Sequence, residues 1–159
     1  GKKYGLSEQQ VKTNQIKIWE RAAAAGFNFH PEGRKKIYNT FDAHRLLHWA
    51  GLSEKSGAQH ALKKAFLASY QGRAEAIEQQ EVMLAAVQEA GLDVAQAKAI
   101  LDSDTYAQDV RDAEQYYMQA GIRSVPAIII NQKHLIAGGQ PTDVFEQALR
   151  QIAQQEATA

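Results

Sequence analysis

Several places in this chain carry residue types from which chemistry is built, and each lacks a part. His44 and His48 stand four apart on one expected helix, the spacing at which two imidazoles reach a single metal ion. Between them lie Arg45, Leu46 and Leu47, so the glutamate of a zincin motif is missing and Arg45 is an awkward neighbour for a cation. They read as helix-surface or packing histidines, and no metal site is expected. Ser124-Val125-Pro126 stands directly before a β-branched run. Proline donates no ladder hydrogen bond, so it is tolerated at a strand's first residue, and it is the usual site of a cis bond. A cis bond there would turn the Val125 backbone outward, free to pair with an extended partner; the simpler reading is a proline that marks the strand start.

The remaining candidates are weaker. Asn39-Thr40 could cap the helix that follows, a contribution of about 1 kcal/mol. Gly138-Gly139-Gln140 ends a strand and lacks the Lys-Ser/Thr sequel of a phosphate loop. Asp102, Asp104, Asp109 and Asp112 read as caps and helix surface rather than a catalytic carboxylate pair, and Arg34-Lys35-Lys36 as a solvated loop. With zero cysteines, the chain holds no disulfide, no thiolate metal ligand and no cysteine nucleophile.

The elements that must position these residues are drawn from 159 residues, the size of one domain, or one domain with a large insertion. A hydrophobic content of 45% suffices for a core. Eighteen basic residues balance eighteen acidic ones, for a net charge of +0. That balance argues against nucleic acid or an acidic membrane as partner. No apolar run approaches the roughly 18 residues a membrane helix needs. The chain opens at Gly1 on a polar stretch with no signal peptide, which fits a fragment or processed product, and a cytoplasmic location is expected.

Helical periodicity dominates. Ser7 is a candidate N-cap, and Val11, Ile18 and Ala22 mark a helix that Gly26 stops. Phe27 to Tyr38, with Pro31 and Gly33, reads as a loop. Ala43, Leu46, Leu47 and Ala50 then fall at i, i+3, i+4, i+7, one apolar stripe. Ala58, Ala61, Leu62 and Ala65 repeat the pattern, as do Met83, Ala86, Val87 and Ala90 before Gly91. Asp93 with Gln96 resembles a capping box for a short helix through Leu101. Tyr106, Val110, Ala113, Tyr117 and Ala120 mark a longer helix closed by Gly121.

The character changes near Ile122. Residues 126–131 form a continuous β-branched run typical of a strand buried on both faces. Asn131-Gln132-Lys133 supplies a turn, His134 to Ala137 a second strand, and Phe145, Ala148, Leu149 and Ile152 line a last helix. A two-stranded hairpin is not a stable sheet by itself. Lys36-Ile37-Tyr38 is only a faint candidate for a third strand. A sheet-completing element is expected before Gly1, or from a second copy that pairs along the 126–131 edge in a homodimer.

Two long stretches carry a family resemblance. Gly121 to Leu149 resembles the C-terminal half of a thioredoxin fold. Together with Asn39-Thr40-Phe41-Asp42-Ala43-His44-Arg45-Leu46-Leu47-His48-Trp49-Ala50 it resembles the FrnE-type branch of the DsbA-like family. Lys3-Tyr4-Gly5-Leu6-Ser7 is similar to the segment where that branch enters its inserted helical domain. The implied fold is mostly α, an α+β remnant of an α/β architecture. A helical insertion domain would span 1–121, and the hairpin and helix of an incomplete thioredoxin fold 122–159.

The resemblance implies a thiol–disulfide oxidoreductase acting on thiol- or disulfide-containing polypeptides, with no cofactor. Such proteins carry Cys-x-x-Cys at the first helix of a strand–helix–strand unit upstream of the insertion, and this chain lacks that unit. Pro126 would match the family's cis-proline beside the cysteines, and Val125, next to Ser124, the residue whose backbone pairs with substrate. Pairs like Asn39-Thr40 lie near the cleft in the related kappa-class glutathione transferases and hydroxychromene-carboxylate isomerases, so these two residues are candidate cleft-lining positions. The chain would be inactive alone. A serine in place of the upstream cysteines would imply glutathione-dependent isomerase or transferase chemistry instead; a non-catalytic binding or assembly module is the third reading.

Overall fold

The computed structural model of the chain describes residues 7–34 and 36–157. The family-like segment Lys3 to Leu6 and the central lysine of the basic run, Lys35, lie outside the described residues. The first helix, α1 (Glu8–Ala24), opens on a capping box: Gln10 N–H donates to Ser7 Oγ at 3.2 Å, and Ser7 N–H donates to Gln10 Oε1 at 2.8 Å. Gly26, at φ +85°, follows its end in the left-handed conformation that glycine adopts at least cost.

Four further helices build the core. They are α2 (Phe41–Gly51), α3 (Ala58–Leu67), α4 (Gln80–Glu89) and α5 (Val94–Leu101). The expected stripes face inward: Ala43, Leu46, Leu47 and Ala50 from α2, Leu62 and Ala65 from α3, Met83, Ala86 and Val87 from α4. Asp93 caps α5 by accepting from Ala95 N–H at 2.8 Å and Gln96 N–H at 3.0 Å. Helix α2 packs on α3 and α5, and α4 on α3 and α5, so the apolar stripes converge on one cluster. Truncating a wholly buried leucine such as Leu62 to alanine costs about 2–5 kcal/mol.

Between α3 and α4 the helix widens into a π turn, Ala68–Gly72, that the sequence pattern does not announce. Ser69 within it is 0% exposed, and its Oγ donates to Glu75 Oε2 at 2.6 Å. Such one-turn widenings arise where an extra residue is accommodated in a helix.

The chain divides into two compact units, Gly1–Arg111 and Asp112–Ala159. Helix α6 (Ala107–Gln119) runs across the division. Val110 is buried, whereas Ala113, Tyr117 and Ala120, expected on one apolar stripe, are exposed. Helical spacing alone records where a side chain stands on the helix, not what covers it.

In the second unit β1 (Ala127–Ile130) and β2 (His134–Ala137) pair antiparallel, Ile128 opposite Ile136 and Ile129 opposite Leu135. Asn131 and Gln132 both sit at positive φ (50° and 57°), the signature of a type I′ hairpin turn, and Lys133 N–H donates to Ile130 O at 3.1 Å. Helix α7 (Thr142–Ala157) follows, and Asn131 Nδ2 donates to Glu156 Oε1 at 2.7 Å, tying the turn to the end of α7. Among the described residues the sheet has these two strands and no third, and Lys36-Ile37-Tyr38 is not a strand. The expectation that 126–131 is buried on both faces needs correction. Ile128, Ile130, His134 and Ile136 share the half-buried face, while Ile129 (41% exposed) and Leu135 (53%) form an apolar pair on the other. The strand has the composition of a central strand, and among the described residues Ile129 and Leu135 find no cover on its other face.

Candidate functional site: a free strand edge and a clamped strap

At the start of β1, Gly138 N–H donates to Pro126 O at 2.8 Å. That makes 126–138 a hydrogen-bonded pair in which proline returns no donation. Antiparallel ladders alternate, so 128–136 and 130–134 are the bonded pairs, and the N–H and C=O of Ala127 and Ile129 point away from β2. The Val125–Pro126 peptide bond is cis. Ser124, Val125 and Pro126 are adjacent and exposed, Val125 at 87%. The second unit therefore presents an uncharged edge with outward main-chain donors and acceptors, the feature an added extended strand recognises. Hydrogen bonding to main chain selects no sequence by itself; neighbouring side chains would have to do so.

Asn39 and Thr40 belong to the first unit, where they end a strap that runs from Lys36 into α2. Asn39 caps the helix: its Oδ1 accepts from Phe41 N–H at 3.0 Å, whereas the Thr40 side chain makes no capping bond. The strap is anchored to Glu78. Lys36 Nζ donates to Glu78 Oε1 at 2.9 Å, and Asn39 N–H donates to Glu78 Oε2 at 3.2 Å. The hydrogen bond from Lys36 and that from the Asn39 amide hold the Glu78 carboxyl below its ordinary value, and the same hydrogen bond and charge raise Lys36 above its own.

His44 is exposed, and His48 is half-buried with its ring centroid 5.1 Å from that of Tyr106. Among the described residues no group of three or more His, Asp and Glu side chains could hold a metal ion. Their intervening neighbour has the unforeseen role. Arg45 is 4% exposed; its guanidinium donates to Asp42 Oδ1 at 2.8 Å and Thr105 O at 2.9 Å, and also to the carbonyls of Ile100 and Ser103. It knots α2 to the turn after α5. A basic residue set among the buried positions Ala43, Leu46 and Leu47 was the only sequence signal for it.

Residues 2–150 match the family model of the DSBA-like thioredoxin domain. The structure is similar to that of a probable DsbA oxidoreductase from Streptomyces coelicolor, at 32% identity and a TM-score of 0.82. The match covers 94% of this chain and 63% of that one, so the chain spans less than two thirds of the length of the protein it resembles. No curated relative matches it. Among the described residues no helix is long and apolar enough to cross a membrane.

Proposed function

The chain belongs to the DSBA-like thioredoxin domain family, and we propose that it is the helical and C-terminal portion of a FrnE-type thiol–disulfide oxidoreductase whose cysteines lie outside it. The observation that carries this is the likeness at 32% identity to a probable DsbA oxidoreductase over nearly the whole chain. The chain supplies no thiolate, since it contains no cysteine. In this reading the residues 1–121 are the helical insertion and 122–159 the closing part of the thioredoxin fold. The edge of β1 receives the strand of the upstream unit, and the Val125 backbone pairs with an extended polypeptide substrate. Asn39 and Thr40 line the cleft. The setting is cytoplasmic.

The chemistry asked of the upstream segment is specific. A thiolate at a helix N-terminus attacks a disulfide sulfur, the substrate S–S bond breaks with release of one thiolate as a mixed disulfide forms, and the second cysteine then displaces the other substrate thiolate, leaving the two cysteines joined as a disulfide. Val125 would orient the partner chain but exchange no electrons. The test is insulin reduction by the intact protein beside this chain alone: activity is expected only in the former. An intact protein without an upstream Cys-x-x-Cys would sink the proposal. If a serine stands there and glutathione binds in titration, the isomerase or transferase reading replaces it. A binding module that assembles through a second copy on the 126–131 edge is the remaining alternative. It requires a dimer in light scattering, which the leading reading does not.

A further inference from the structure

The strap before α2 is held more firmly than a helix start needs. Three of its main-chain N–H groups are accepted by side chains. Tyr38 N–H donates to Tyr70 Oη at 3.3 Å, Asn39 N–H to Glu78 Oε2 at 3.2 Å, and Phe41 N–H to Asn39 Oδ1 at 3.0 Å. Capping α2 requires only the last of these. The other two act on residues before the cap and come from elements more than thirty positions later in the chain.

The rings reinforce them. Tyr38 and Tyr70 meet edge-to-face at 5.7 Å between centroids. The Arg34 guanidinium lies 5.4 Å from the Tyr70 ring centroid, and Lys36 Nζ lies 4.9 Å from that of Tyr38. Tyr70 belongs to the π turn. That turn is closed from beneath by Ser69 on Glu75, which also accepts from Arg73 Nε at 3.1 Å. What leaves this clamp is the Asn39–Thr40 step, with Thr40 half-exposed and its side chain not used in capping.

We infer that Tyr70 and Glu78 are positioning residues that fix how the Asn39–Thr40 step is presented to substrate. This rests on the reading above in which that step lines the cleft. Tyr70 sets the backbone at Tyr38 through its hydroxyl, and Glu78 sets it at Asn39 through its carboxylate.

Two variants separate this from simple stabilisation. Tyr70→Phe keeps the ring and removes the hydroxyl; Glu78→Ala removes the carboxylate. In 15N–1H spectra of the chain, Tyr70→Phe is expected to shift the Tyr38 amide and Glu78→Ala the Asn39 amide, each also moving the Asn39 side-chain NH2, while the core amides of α4 stay in place. In the intact protein the same variants are expected to raise KM for a disulfide-containing peptide by about fivefold, with kcat within about twofold. Unmoved Tyr38 and Asn39 amides overturn the inference, because the strap is then not held by these groups. Moved amides with unchanged KM overturn it too, since the strap then has no part in the site. A wild-type intact protein that exchanges no disulfide refutes the functional reading itself, and is told apart because it fails before any variant is made.

Discussion

Replacing Arg45 with methionine tests the central knot of the first unit. The guanidinium is nearly unexposed and serves three main-chain carbonyls and the Asp42 carboxylate. Methionine keeps most of the stem packing and removes every donor. Ile100 O retains a partner, because Ser103 Oγ donates to it at 3.2 Å, and Asp42 is half-exposed and can be hydrated. The carbonyls of Ser103 and Thr105 lose the guanidinium. At about 1–2 kcal/mol for each of these two carbonyls left short, the expected destabilisation is about 3 kcal/mol. Arg45→Lys, a single point charge in place of a fork, is expected to cost about 2 kcal/mol. The assay is urea unfolding followed by tryptophan fluorescence, which reports the first unit because Trp19 and Trp49 are the chain's two tryptophans. The exposed ion pair Arg73–Glu89 of the same unit is the control, and Glu89→Ala is expected to change little, below about 0.5 kcal/mol. A loss under about 1 kcal/mol for Arg45→Met would refute the reasoning, because the carbonyls would then be satisfied without it.

Other outcomes follow from the same geometry. Gln132 sits at φ 57° in the hairpin turn, where a side chain is costly, so Gln132→Gly is expected to stabilise the hairpin by about 1 kcal/mol, read as slower exchange of the Ile128 and Ile130 amides. Unchanged or faster exchange would show that the left-handed residue carries no strain. Gly33 sits at φ +67°, where an added Cβ would meet Gln15 Nε2 at 3.3 Å and the Trp19 ring at 3.4 Å; Gly33→Ala is expected to cost about 1–2 kcal/mol in the same urea assay. Glu78 is held below its ordinary 4.5 by Lys36 and Asn39, and Asp102 below 3.8 by Lys98 and Gln80. Carboxyls lowered in the folded state contribute stability that is present above their ordinary values and lost as pH falls through the folded ones. The urea midpoint should thus decline on acidification below about pH 4.5, less steeply in a Glu78→Gln/Asp102→Asn double variant; parallel declines would show these two groups are not responsible.

How much of this was legible in the residues depends on the range of the interaction. The N-cap at Ser7, the stripe Ala43–Leu46–Leu47–Ala50 and the turn at Asn131 are local, decided within a few positions, and each was readable. So was the hairpin with its outward, uncharged edge. Arg45 was not, because its partners are carbonyls 55 to 60 residues away and any residue type can offer a carbonyl. The clamp by Tyr70 and Glu78 escaped for the same reason, its acceptors reaching back 32 and 39 positions to main-chain amides. The two-sided burial expected for 126–131 misled in the other direction. Apolar composition records what a strand is suited to pack against, and Ile129 and Leu135 have no such cover among the described residues.

The π turn has a consequence that concerns length rather than composition. A residue of α-helix turns the chain by about 100° and advances it by about 1.5 Å. The widened segment Ala68–Gly72 takes up such an increment just where Tyr70 must face Tyr38. Removing one residue there would restore a regular helix and carry the phenol about a quarter-turn away from the strap. For this stretch of the chain, the tightest specification is the number of residues between Leu67 and Arg73, a quantity that a substitution scan leaves untouched and a single-codon deletion alters at once.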